Sequence, residues 1–169
     1  MKRLTSIFWL LLAAPVMSAM ADGAIDFSLP DIHGKVHTLS EYSGRWVVVN
    51  YWASSCPPCI KEIPELVAFH QRHQDRDVVL LGVDFEDIPL SWLKDFMDSV
   101  LMNYTVLRSE PSQKTPFGIV IALPTTFILS PRGELVARQV GPVTAADLDA
   151  FVKRMANEAP ATKINTKIH

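Results

Sequence analysis

One stretch constrains the fold of this chain more than any other: Arg45-Trp46-Val47-Val48-Val49-Asn50-Tyr51-Trp52. A run this dense in β-branched and aromatic side chains reads as a strand buried on both faces, the kind found inside parallel sheets covered by helices. A helical pattern follows from about residue 58 to 73, with Ile60, Ile63, Leu66, Val67 and His70 at spacings of three and four. Pro64 lies inside that run and is expected to kink it, because it lacks an amide donor. Residues 77–85 (DVVLLGVDF) read as a second buried strand. Residues 89–101 read as a second helix with Leu90, Leu93, Phe96, Met97 and Val100 turned inward.

Residues 104–107 read as a short strand, and 108–118 as a polar loop with a helical turn. Residues 125–129 form a strand that Ser130-Pro131-Arg132-Gly133 turns back into 134–140, an antiparallel hairpin. A last helix runs from near 144 to 158, where Thr144-Ala145-Ala146-Asp147 is a variant of the capping box. Ahead of the first buried strand, residues 22–44 read as an irregular or weakly extended lead-in with turns at 31–34 and 43–44. This order predicts an α/β three-layer sandwich with a mixed central sheet.

Lys2 and Arg3, the apolar run from Ile7 to Val16 and the small residues of Ser18-Ala19-Met20-Ala21 have the form of a secretory leader. The apolar run is short for a bilayer span, so residues 1–21 are expected to be cleaved; an uncleaved anchor is the alternative. The expected organisation is a leader over 1–21, one domain over 22–158 and a tail over 159–169. The chain has 169 residues, 20% charged and 49% apolar, which fits one globular domain. Its net charge is −2 with no block of like charges, so no nucleic-acid partner is expected.

An exported chain would normally use cysteines as structural staples. This one has two, Cys56 and Cys59, separated by Pro57-Pro58. A crosslink closing so small a loop braces little, so the pair points to chemistry rather than to scaffolding. A thiol at the start of a helix feels the positive end of the dipole and free backbone amides, both of which favour thiolate. Cys56 is therefore expected to be the exposed nucleophile, and Cys59, one turn further in, the group that resolves a mixed disulfide. The prolines suit the first helical turn, where amide hydrogens have no partner anyway. A zinc site with His70 and His73 would need the spacing C-x2-C-x10-H-x2-H, which places the histidines roughly 16 Å along the helix from the cysteines. No bound metal is expected on that ground, and both histidines read as helix-surface residues. Copper(I) held by the two soft thiolates is a second reading of the pair.

Glu62 lies one turn beyond Cys59 on the same helix face, where a carboxylate would relay the proton that resolution releases. An ordinary exposed helix glutamate fits the spacing equally well. Glu65 and Glu86 read as solvated surface carboxylates. Pro124 stands at the very start of a strand, compatible with a trans edge proline or with a cis bond that turns the Leu123 backbone outward.

The segments W-A-S-S-C-P-P-C-I-K-E-I-P-E-L, A-I-D-F-S-L-P-D-I-H-G-K-V-H-T-L-S-E-Y-S-G-R-W-V-V-V-N-Y-W and L-P-T-T-F-I-L-S-P-R-G-E-L-V together cover most of residues 24–152. They resemble the TlpA/ResA-like branch of thioredoxin-like proteins. The resemblance implies a thioredoxin fold with an N-terminal extension and a redox-active disulfide between Cys56 and Cys59, with no other cofactor. It implies that Pro124 is cis, that Leu123 lines a substrate groove and that Glu62 handles protons. Trp52, Ser55 and Pro57 are expected on the same substrate face. Asn50 stands where cytoplasmic thioredoxins keep a buried aspartate. Members of this branch usually act in the periplasm or an equivalent compartment, reducing disulfides of exported proteins, among them apocytochrome c and copper-site assembly proteins. Their electrons come from a membrane-embedded donor. One departure is Ser55, where the branch usually carries tryptophan or another bulky residue. A peroxiredoxin-like peroxidase is the alternative from a different class, although Ala53 stands where such enzymes place threonine or serine.

Overall fold

A computed structural model describes residues 25–74, 76–112 and 114–158. The expected leader and tail lie outside the described residues. The chain opens with a small antiparallel pair, β1 (Ser28–Pro30) and β2 (Val36–Thr38), followed by a 3-10 turn over Leu39–Tyr42. The extended lead-in and its turn at 31–34 are therefore present, but as a paired hairpin rather than an irregular segment. Strands of three residues carry too few alternations to announce themselves.

The central sheet is built from β3 (Trp46–Trp52), β4 (Val78–Asp84) and β5 (Thr105–Arg108), with α1 (Pro57–His73) and α2 (Leu90–Ser99) as the connections between them. Between β5 and the next central strand come β6 (Lys114–Thr115) and β7 (Gly118–Ile119), a minimal hairpin in place of the expected helical turn. β8 (Thr125–Leu129), β9 (Leu135–Val140) and α3 (Ala145–Glu158) complete the chain. The strand order is β5-β4-β3-β8-β9; β3, β4 and β5 run parallel, and β8 and β9 are antiparallel additions. The expected mixed sheet and three layers are both present.

All seven residues of β3 are buried, as its composition demands. Trp46, Val48 and Trp52 pack on the helical layer against Leu66 and Phe69 of α1, Leu93 and Met97 of α2, and Leu148 and Val152 of α3. Val47, Val49 and Tyr51 face the opposite layer, where Phe27, Leu39, Phe117 and Val120 close the core. That second layer is made of hairpins and a short turn rather than of long helices. Burial of each large side chain is worth about 2 kcal/mol, so truncating a fully enclosed one such as Phe69 costs about 3–5 kcal/mol.

α1 continues through Pro64 to His73, so the missing amide does not end it. At α3 the predicted capping box forms: Thr144 Oγ1 donates to Asp147 Oδ2 at 2.6 Å, and the Asp147 amide returns to Thr144 Oγ1 at 3.2 Å. The parallel register of β3 and β4 sets Trp52 opposite Asp84, and the Phe85 amide donates to the Trp52 carbonyl at 3.0 Å. The segments that leave β3 and β4 therefore emerge side by side at one end of the sheet.

Candidate active site

β3 delivers the chain through Ala53-Ser54-Ser55 to Cys56, which caps α1 in an extended conformation. Cys56 and Cys59 are joined as a disulfide, with Cα atoms 5.3 Å apart. The Cys59 amide, one of the donors that a helix start leaves unpaired, points at Cys56 Sγ from 3.3 Å. Pro57 and Pro58 fill the first two helical positions, where they forfeit no helical hydrogen bond. Cys56 is half-buried at the surface, whereas Cys59 is 1% exposed. This is the asymmetry that an attacking and a resolving sulfur require.

The reading of Glu62 as an ordinary exposed helix glutamate does not hold: it is 2% exposed and faces the core one turn below Cys59. Asn50 Nδ2 donates to Glu62 Oε1 at 3.2 Å and to Thr126 Oγ1 at 3.0 Å. Glu62 Oε2 is enclosed with no hydrogen-bond partner. Burial pushes this carboxyl from 4.5 up to about 7, opposed only by the nearby Val143 amide. A buried group that titrates near neutrality can take up and release a proton at working pH.

The Leu123–Pro124 peptide is cis. Thr125, the next residue, pairs with Tyr51, so this bond emerges at the sheet end that carries the cysteines. Leu123 is half-buried, and Ser55 and Pro57 are exposed beside Cys56. Trp52 corrects the sequence reading. It is 1% exposed, because strand alternation turns it onto the helical layer, where it stacks on Phe96 at 5.7 Å. It belongs to the same core cluster as Cys59 and offers no surface to a substrate.

Glu65 and Glu86, read as solvated surface carboxylates, both have structural partners. Glu65 Oε2 accepts the Ala145 amide at 3.0 Å, tying α1 to the start of α3. Glu86 reaches back to the cysteine loop, accepting the Ser54 amide with Oε1 and the Ser55 hydroxyl with Oε2, the latter at 3.1 Å. Asp84, singled out by nothing in the sequence, is 0% exposed, and neither of its oxygens has a hydrogen-bond partner. Its nearest cation is Arg108, whose Nε lies 3.9 Å from Oδ2, too far for a hydrogen bond. Burial raises the Asp84 carboxyl from 3.8 to about 7; Glu86 adds to the rise and Arg108 opposes it. His73 is half-buried and bonds Asp149 of α3 at 2.7 Å, and His70 packs against Tyr104. Among the described residues, no three His, Cys, Asp or Glu side chains are grouped to hold a metal ion.

Residues 20–138 match the AhpC/TSA family. The chain is 31% identical over 129 residues to the thiol-disulfide oxidoreductase ResA of Bacillus subtilis (strain 168), covering 76% of this chain and 72% of that one. ResA of Geobacillus kaustophilus is 29% identical over 135 residues, covering 80% and 77%. The crystal structure of a thiol:disulfide interchange protein of the thioredoxin family from Chlorobium tepidum is similar at a TM-score of 0.66 and 29% identity, over 78% of this chain and 93% of that one. The fold and site thus define a thioredoxin-like disulfide-exchange protein. The chain belongs to the AhpC/TSA family and, within it, to the ResA-like thiol-disulfide oxidoreductases. Its reaction is the exchange of disulfides and thiols through the Cys56–Cys59 pair.

Proposed function

We propose that this oxidoreductase works outside the cytoplasm as a reductant of disulfides in exported proteins, cytochrome c precursors or copper-site assembly proteins among them. The observation that carries the reading is the buried Cys59–Glu62–Asn50 arrangement behind a half-exposed Cys56. In the reduced protein the Cys56 thiolate attacks one sulfur of a partner disulfide. A Cys56–partner disulfide forms, and the partner's other sulfur leaves as a thiolate that takes up a proton. Cys59 then gives its proton to Glu62, and its sulfur attacks Cys56 Sγ. The internal disulfide closes and the partner's second thiol is released, so two electrons have passed from this protein to its partner. An external dithiol, proposed to belong to a membrane-embedded donor, runs the same steps in reverse to reduce the pair again. No cofactor beyond the cysteines enters these steps.

Leu123, Ser55 and Pro57 are proposed to form the surface that receives the partner's extended backbone, with the buried Pro124 directly behind Leu123 rather than on that surface as the sequence reading has it. Among the described residues no helix is long and apolar enough to cross a membrane. The proposed location rests instead on the leader pattern of residues 1–21. Cys59→Ser tests the reading. The reduced variant is expected to accumulate a reductant-sensitive mixed disulfide through Cys56 when given an oxidised protein substrate. Absence of that adduct, with peroxide consumption retained in the presence of an external thiol, would replace exchange with peroxidase chemistry.

A further inference from the structure

The exchange reaction leaves Glu86 unused, yet this side chain is built into the site from the segment that follows β4, which carries no cysteine. Its two carboxylate oxygens take two successive groups of the loop, the Ser54 amide and the Ser55 hydroxyl. Ser55 immediately precedes Cys56. Ser54 lies buried in the loop while Ser55 is exposed, so the contact anchors the loop at its inner and outer sides. A bulky apolar residue at position 55 has no hydroxyl to offer; serine does, and this explains why the small polar residue is accommodated here.

We propose that Glu86 is a positioning residue for thiol-disulfide exchange: it clamps the loop that presents Cys56 and, through its charge, holds Cys56 back from ionising as readily as the helix start alone would allow. The proposal rests on the reading of Cys56 as the attacking sulfur. Two opposed influences then act on that sulfur. The start of α1 and the Cys59 amide favour thiolate, and a carboxylate bound one residue away disfavours it. The other ionisable groups around Glu86 are Asp84 and Arg108 from the ends of β4 and β5, with Asp87 and Glu110 along the adjoining groove. Lys61 and Glu62 lie on α1 beyond the cysteines. Arg108 donates to the Ile88 carbonyl at 2.8 Å and approaches Asp84 at 3.9 Å, and among the described residues Glu86 forms no ion pair.

The test is the pH dependence of iodoacetamide alkylation of the fully reduced protein, with the modified cysteine assigned by mass spectrometry. Glu86→Gln keeps an acceptor for the Ser54 amide and removes the charge. It is expected to lower the Cys56 pKa by about half a unit, roughly threefold more thiolate at a pH below that value. Glu86→Ala should shift it in the same direction, which keeps the charge test alive if one variant folds poorly. Ser55→Ala removes a hydrogen bond but not the charge, and should give no such fall. Asp87→Asn removes a neighbouring charge that does not bind the loop, and should shift the value by less than half as much. A Cys56 pKa unmoved in both Glu86 variants, or an equal fall in Ser55→Ala or Asp87→Asn, would overturn the proposal. Alkylation of Cys59 ahead of Cys56 would instead overturn the reading on which it rests.

Discussion

Replacing Glu62 by glutamine should make the protein more stable and less active, with a pH signature that identifies the cause. Burial moves this carboxyl from 4.5 to about 7. At about 1.4 kcal/mol per pH unit, that displacement corresponds to about 3 kcal/mol, an order-of-magnitude figure. The sign follows from proton binding. Between pH 4.5 and about 7 the folded protein keeps a proton on Glu62 that the unfolded chain has released. Stability therefore falls as pH rises through that window and levels off above it. A glutamine side chain has no proton to lose, and its amide oxygen can still accept from Asn50. The variant should match the parent near pH 4 and exceed it by up to about 3 kcal/mol at pH 8. Denaturant unfolding of both oxidised proteins across that range is the assay. Asp84 contributes a slope of its own to both proteins, so the difference curve isolates Glu62. The same substitution removes the proposed proton acceptor for Cys59 and should slow resolution about a hundredfold. A flat difference curve, or a variant less stable at pH 8, would refute the claim that Glu62 is held as a strained buried acid.

Asp84→Asn should also stabilise the protein above neutral pH, by about 2 kcal/mol, less than the full effect of its raised titration because Arg108 loses its ion partner. Unfolding at pH 8 checks this, and a loss of stability would mean that the ion pair outweighs the burial. Gly82→Ala should cost about 1–3 kcal/mol through overpacking. A methyl group there would meet Tyr104 Cε2 at 2.9 Å and the Trp52 indole nitrogen at 3.0 Å. An unchanged urea midpoint would show that Trp52 can yield.

The parts of the site that the sequence makes legible lie close together along the chain. Cys56, Cys59 and Glu62 fall on one helix, so period and spacing suffice to place them on a common face. β3 is equally legible, because burial on both faces leaves no room for polar alternation. Glu86 and Asp84 are different. They come to the site only through the parallel register that sets Trp52 opposite Asp84, a pairing between residues far apart in the chain. A signal was present all the same: Ser54-Ser55 and Glu86 each stand two or three residues past the end of a buried strand, and neighbouring parallel strands bring such positions together. Trp52 misled for a related reason. Proximity to the cysteines along the chain says nothing about which face of the sheet a side chain takes. Phe117 and Val120, in and just after a stretch that reads as polar loop, owe their burial to covering the sheet face opposite the helices.

The measurement that bears most directly on the proposed role is the equilibrium reduction potential of the Cys56–Cys59 pair, taken against defined ratios of reduced and oxidised dithiothreitol or glutathione. A reductant charged by a membrane donor should lie near the thioredoxin end of the scale, at about −270 mV. A value near about −120 mV, where strong disulfide donors lie, would contradict the account and reverse the direction of electron flow.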